Sequence, residues 1–153
     1  MKRWIYLLAI LLLSFLSAPP SENDVGKLEP VELLYIYKEG DGIAVESDTG
    51  NLGIGDDLES ALENMRQTSP RTIFLETADT LLVTLDTLTL LPELAKQLRP
   101  ACRVCLANGE IELESAAAYL NNHLPGTSLL DVQKGSVYLG TLKQEGERFR
   151  LVQ

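Results

Sequence analysis

The chain has 153 residues, 45% of them hydrophobic and 23% charged, enough for one domain with a proper core and too balanced for a disordered or fibrous polymer. Thirteen basic against 22 acidic residues leave a net charge of −9, which opposes binding to nucleic acid or to anionic lipid headgroups. Two cysteines are too few for a disulfide scaffold.

Met1-Lys2-Arg3 is a basic start, and Trp4 to Ala18 follows without a charge. A basic region and then an apolar one is the order of a secretory signal. The apolar stretch is shorter than the roughly 20 residues a spanning helix needs. Ser17-Ala18 is a small pair, but Leu16, at the third position before a cut after Ala18, and the prolines Pro19-Pro20 are poor for cleavage. Residues 1–18 are therefore expected to act as a signal peptide or a membrane anchor. Residues 19–30 read as a linker, and residues 31–153 as a single α/β domain.

Val31 to Lys38 is apolar on both faces and predicts a central strand, with Glu39-Gly40-Asp41-Gly42 as a turn into a hairpin partner at Ile43 to Glu46. Gly50 to Gly55 reads as a glycine-rich loop. Leu58, Ala61, Leu62 and Met65 fall at helical spacing and predict a helix over Asp56 to Gln67, with Asp56 and Asp57 at its positive end. Two apolar runs follow, Thr72 to Leu75 and Leu81 to Leu85. A second helix is expected over Leu90 to Leu98, with Thr89 as cap and Pro92 in the first turn.

Cys102 to Ala107 reads as the next strand, and Glu112 to His123 as a third helix burying Leu113, Ala116, Ala117 and Leu120. The tail predicts two short strands, Ser136 to Leu142 and Arg148 to Val152, joined by polar Lys143 to Glu147. Strand and helix alternate from Leu81 to His123, which calls for parallel pairing, while the hairpins at both ends add antiparallel strands. The expected fold is a single small α/β domain, about three helices on a mixed sheet.

Cys102-Arg-Val-Cys105 has a metal-like spacing, but a structural zinc needs four ligands and His123 is the only histidine. In a strand, side chains three apart point to opposite faces, so both cysteines are expected to be small core residues. Gly50-Asn-Leu-Gly53-Ile-Gly55 lacks the spacing of a phosphate loop, and Asp56 and Asp57 would repel a phosphate. His123 is placed at a helix C-terminus, and Ser115, Ser128 and Ser136 sit in no nucleophile signature. Glu59 and Glu63 read as solvated charge, as do Glu110, Glu112 and Glu114, and Asp41, Glu46 and Asp48 lack a calcium-loop pattern. No catalytic, cofactor-binding or metal-binding residue is assigned.

The early strand ending at Gly40-Asp-Gly42, the glycine segment into Asp57-Leu-Glu-Ser-Ala-Leu62, Pro70-Arg-Thr-Ile-Phe74, Leu81-Leu-Val83, and Cys102-Arg-Val-Cys-Leu-Ala-Asn-Gly109 follow one another in order. Over roughly Val31 to His123 this order resembles the N-terminal domain of the spore germination receptor C-subunit family, the Ger(x)C proteins. Its members are lipoproteins with a cysteine at the signal border, where this chain has none, and they continue through further domains. The resemblance implies a non-enzymatic protein at the outer face of the membrane and carries over no functional residue.

The functional expectation is a non-catalytic, envelope-associated interaction module, extracytoplasmic and either membrane-anchored or secreted. Its partner would be a membrane or envelope protein. The alternatives are an exported small-ligand-binding domain and a small exported hydrolase or thiol enzyme using His123 or the Cys102/Cys105 pair.

Overall fold

The computed structural model describes residues 28–135 and 138–152, so the signal-or-anchor segment, most of the linker and Ser136 lie outside the described residues. Strand β1 (Leu28–Pro30) is followed by β2 (Leu33–Glu39), β3 (Gly42–Ser47), β4 (Leu52–Gly55) and helix α1 (Leu58–Thr68). Next come β5 (Thr72–Phe74), a 3-10 turn over Leu75–Thr77, β6 (Thr80–Val83), a 3-10 segment over Leu85–Leu90 and α2 (Leu91–Gln97). Strand β7 (Arg103–Asn108), α3 (Leu113–Asn122), α4 (Leu129–Gln133), β8 (Gly140–Glu145) and β9 (Arg148–Val152) complete the described elements.

Seven strands form one sheet in the order β4-β3-β2-β6-β7-β8-β9. Its centre, β2-β6-β7-β8, is parallel, and antiparallel partners flank it on both sides. This is the mixed sheet expected from the alternation of elements. The small parallel pair β1-β5 stands apart from it.

The central strands are apolar on both faces, so helices must cover both. Leu34 and Ile36 of β2, Leu81 and Val83 of β6 and Val104 of β7 meet α1, α2 and α4 on one face. Leu33, Tyr35, Leu82, Cys105 and Leu142 meet α3 on the other, the only helix there among the described residues. Each fully buried leucine contributes about 1.5–3 kcal/mol relative to an exposed one.

The sheet corrects several expectations. Leu52–Gly55 is strand β4 and not a loop: it pairs with β3, with Ala44 opposite Ile54. Its glycines serve packing, because a Cβ on Gly53 would lie 2.1 Å from the Ala61 carbonyl oxygen and 2.5 Å from Met65 Cβ, so α1 lies almost on the backbone. Helix α1 starts at Leu58, with Asp57 as its cap in a reciprocal box with Ser60.

Thr89 caps nothing; it falls inside the 3-10 segment, whose own start is boxed by Thr84 and Thr87. Leu28–Pro30, assigned to the linker, pairs with β5. Helix α4 was not foreseen, since five residues are too short to show a period. The last hairpin is tighter than expected: β8 runs on to Glu145, and Gly146 turns at φ 64°.

Replacing Gly53 by alanine tests the close approach of α1. Gly53→Ala should cost about 3 kcal/mol or more as overpacking, read as a lower urea midpoint with little change in slope. A change below about 0.5 kcal/mol would show that α1 can move away freely.

Candidate interaction surface

The cysteines take the positions their spacing requires. Cys102 packs with the helices of one face and Cys105 with α3 on the other, and neither exposes surface. Burial pushes both thiols up to about 12. At neutral pH neither is a nucleophile or a redox partner of the other.

His123 is the C-cap of α3. Its Nδ1 lies 3.0 Å from the Tyr119 carbonyl oxygen, and its ring stacks on that of Tyr119 with centroids 4.2 Å apart. Tyr119 in turn packs against Phe149, and its hydroxyl accepts the Leu151 N–H at 3.3 Å. The histidine therefore belongs to the contact that fastens α3 to β9. Ser115 lies in the first turn of α3, where its N–H donates to the Glu112 carboxylate, and Ser128 caps α4. Neither serine is brought to His123.

The carboxylates divide by environment. Ser60, Ser115 and Ser128 hold Asp57, Glu112 and Asp131 below their ordinary values by hydrogen bonding at helix starts. Burial raises Glu46, beside Tyr35 and Tyr37, and Asp48, which accepts the Glu32 and Leu33 N–H groups at 3.2 Å. Glu59, Glu63, Glu110 and Glu114 are exposed, as is Asp41. Among the described residues no three His, Cys, Asp or Glu side chains converge as a metal site requires.

What the sequence reading missed is an apolar groove of about 440 Å³ near the carboxyl ends of β6 and β7. Leu85, Leu88, Leu91 and Pro92 form one wall; Leu106 of β7 lies beneath; Val132, Tyr138 and Leu139 form the other. Leu85 is 71% exposed and Tyr138 76%, so the groove is open.

Both walls are pinned. The Thr87 hydroxyl donates to the Ile36 carbonyl at 3.1 Å and the Thr84 N–H to the same oxygen at 3.3 Å, fixing the 3-10 wall to the end of β2. The Leu129 and Leu130 N–H groups donate to the Cys102 and Pro100 carbonyls at 2.9 and 3.0 Å, fixing α4 beside β7. The Thr127 hydroxyl donates to the Tyr138 carbonyl. One signal pointed to the groove, the run Leu85–Leu91, which holds more leucine than one helical stripe uses.

Among the described residues no carboxylate, histidine, cysteine, lysine or arginine lines the groove, and the Tyr138 phenol is the polar side-chain group there. Outside it, exposed Asp86 and Glu93 follow Leu85 and Pro92 on one side, and exposed Lys143 and Arg150 stand opposite one another on β8 and β9. Among the described residues no helix is long and apolar enough to cross a membrane. Compared with models of known families, with curated proteins and with solved structures, the chain matches none.

Two measurements follow. In the native protein neither thiol should react with a maleimide at pH 7–8, and both should react on denaturation; native labelling would contradict their burial. The pH dependence should run in two directions. The lowered carboxyls of Asp57, Glu112 and Asp131 stabilise the fold above the ordinary carboxylate range, and this is lost as pH falls through their lowered values. Glu46, raised, favours the fold below the ordinary range, and this is lost as pH rises through its raised value. Glu46→Gln should therefore be more stable than the parent at pH 7 and no more stable at pH 3, in paired thermal melts.

Proposed function

We propose that this chain is a non-catalytic interaction module of the cell envelope, exported by residues 1–18 and related to components of spore germination receptors. The observation that carries the reading is the open groove, whose described lining is apolar apart from the Tyr138 phenol. Acid–base and nucleophilic chemistry rely on polar groups that activate one another beside the reacting atom, and the described lining offers the Tyr138 phenol with no second polar side chain next to it. Contiguous exposed apolar surface on a rigid frame instead marks a place where something binds.

The other candidates for chemistry support the same reading. Both thiols are buried, and His123 is engaged in the α3–β9 contact. The basic start before an uncharged stretch supports export, and the shared order of elements supports the envelope setting. The partner is a membrane or envelope protein. A small apolar ligand is the second reading, favoured by the volume, which falls within the roughly 300–1,000 Å³ of ligand pockets. Such pockets bury about 70–90% of their ligand, which suits an open groove less well.

The test is a photo-crosslinking residue in place of Leu85 in the full chain, expressed in its native envelope. One discrete protein adduct is expected at Leu85 and none from the same probe at Glu59, on the solvent face of α1. No adduct at Leu85, or the same adducts from both positions, would overturn the reading.

A further inference from the structure

The groove and the β8-β9 hairpin share a face of the sheet. Leu106, in the groove, stands beside Thr141 of β8, and Thr141 stands opposite Val152 of β9. Side chains two apart on a strand point the same way, so the next row on that face is Asn108, Lys143 and Arg150. From strand spacing and rise, Lys143 lies about 8 Å from Leu106, Cα to Cα.

Lys143 and Arg150 are directly opposite, both exposed, and neither forms an ion pair among the described residues. Like charges facing across a ladder repel and weaken it. The chain has only 13 basic residues against 22 acidic ones, so two unpaired cations beside its apolar groove stand out.

Resting on the reading of the groove as a docking site, we infer that its occupant is an acidic amphipathic helix of a protein partner. The apolar face of that helix lies along Leu85, Leu88 and Leu106, and its carboxylates meet Lys143 and Arg150. An apolar stripe in a groove supplies affinity, and the flanking charges select the partner and its orientation. A polypeptide suits the site better than a small carboxylate. The groove is open, and the two cations stand on separate strands, where several acidic groups can engage them together.

The probes are a leucine-faced helical peptide with glutamates on its polar face and its counterpart with lysines there. Each is titrated into the full chain in mild detergent. The acidic peptide should bind about tenfold or more tightly than the basic one, and the preference should shrink as salt rises. A Lys143→Glu/Arg150→Glu variant should lose the preference, and Leu85→Asp should lose both peptides. All three substituted residues are exposed, so the variants should fold.

Equal binding of the two peptides, or a preference unchanged in the Lys143/Arg150 variant, overturns this inference and leaves the groove intact as a docking site. Acidic-peptide binding that survives Leu85→Asp overturns the groove reading itself. Binding to phosphatidylglycerol vesicles that depends on Lys143 and Arg150, with neither peptide bound, assigns the cations to a lipid surface and overturns the inference.

Discussion

A strand that is apolar on both faces has to be covered from both sides, and β2, β6 and β7 are such strands at the centre of this sheet. Parallel neighbours cannot be joined by tight turns, so the connections that make them parallel also bring the covering helices. Among the described residues three helices reach one face and a single helix the other. The face with three is not sealed evenly. α1 lies tightly on β3 and β4 because Gly53 and Gly55 have no side chain to hold it off. α2 and α4 leave a channel between them over the end of β7, and that channel is the groove.

The two edges of the sheet are guarded, in contrast to the open groove. An exposed edge invites further strands unless its outward N–H and C=O groups are occupied. At β4 the Ile54 N–H donates to Asn64 Oδ1 at 3.1 Å, and the Thr68 hydroxyl lies 3.4 Å from the Leu52 carbonyl oxygen, so α1 guards the edge it packs on. At β9 the Leu151 N–H is taken by the Tyr119 hydroxyl, and Arg148 and Arg150 add exposed charge. Both guards come from the covering helices. Packing and edge protection are therefore one arrangement.

The sequence made the core strands and the three longer helices legible because each repeats a period for long enough to be read. The run Leu33–Ile36 is apolar without a break, and Leu58, Ala61, Leu62 and Met65 mark one helical face. The opposite directions of Cys102 and Cys105 followed from strand geometry alone. Strand β4 was hidden because glycine has low strand propensity, and its reason for being there is a helix that passes close by. Helix α4 has five residues and its own capping box, but no full apolar repeat. The groove was hidden for a related reason. Besides the ends of α2 and β7 it is built from a 3-10 segment, the short α4 and an irregular stretch, and none of these last three has a period to read.

That coincidence has a physical basis. Long periodic elements bury nearly all their apolar side chains, because the period itself aligns them toward the core. Short or tight segments cannot, since a 3-10 turn eclipses residues three apart and sends others outward. Leu85 and Leu88 are such a pair, and Leu85 is left largely in water. A single exposed leucine is ordinary, but Leu85 and Tyr138 face each other across an apolar floor held by backbone hydrogen bonds on both sides. The frame is already ordered before anything enters it, so an occupant would lose its own freedom but would not have to organise the site. The core strands thus specify the fold, and the irregular segments near their carboxyl ends leave the open apolar groove.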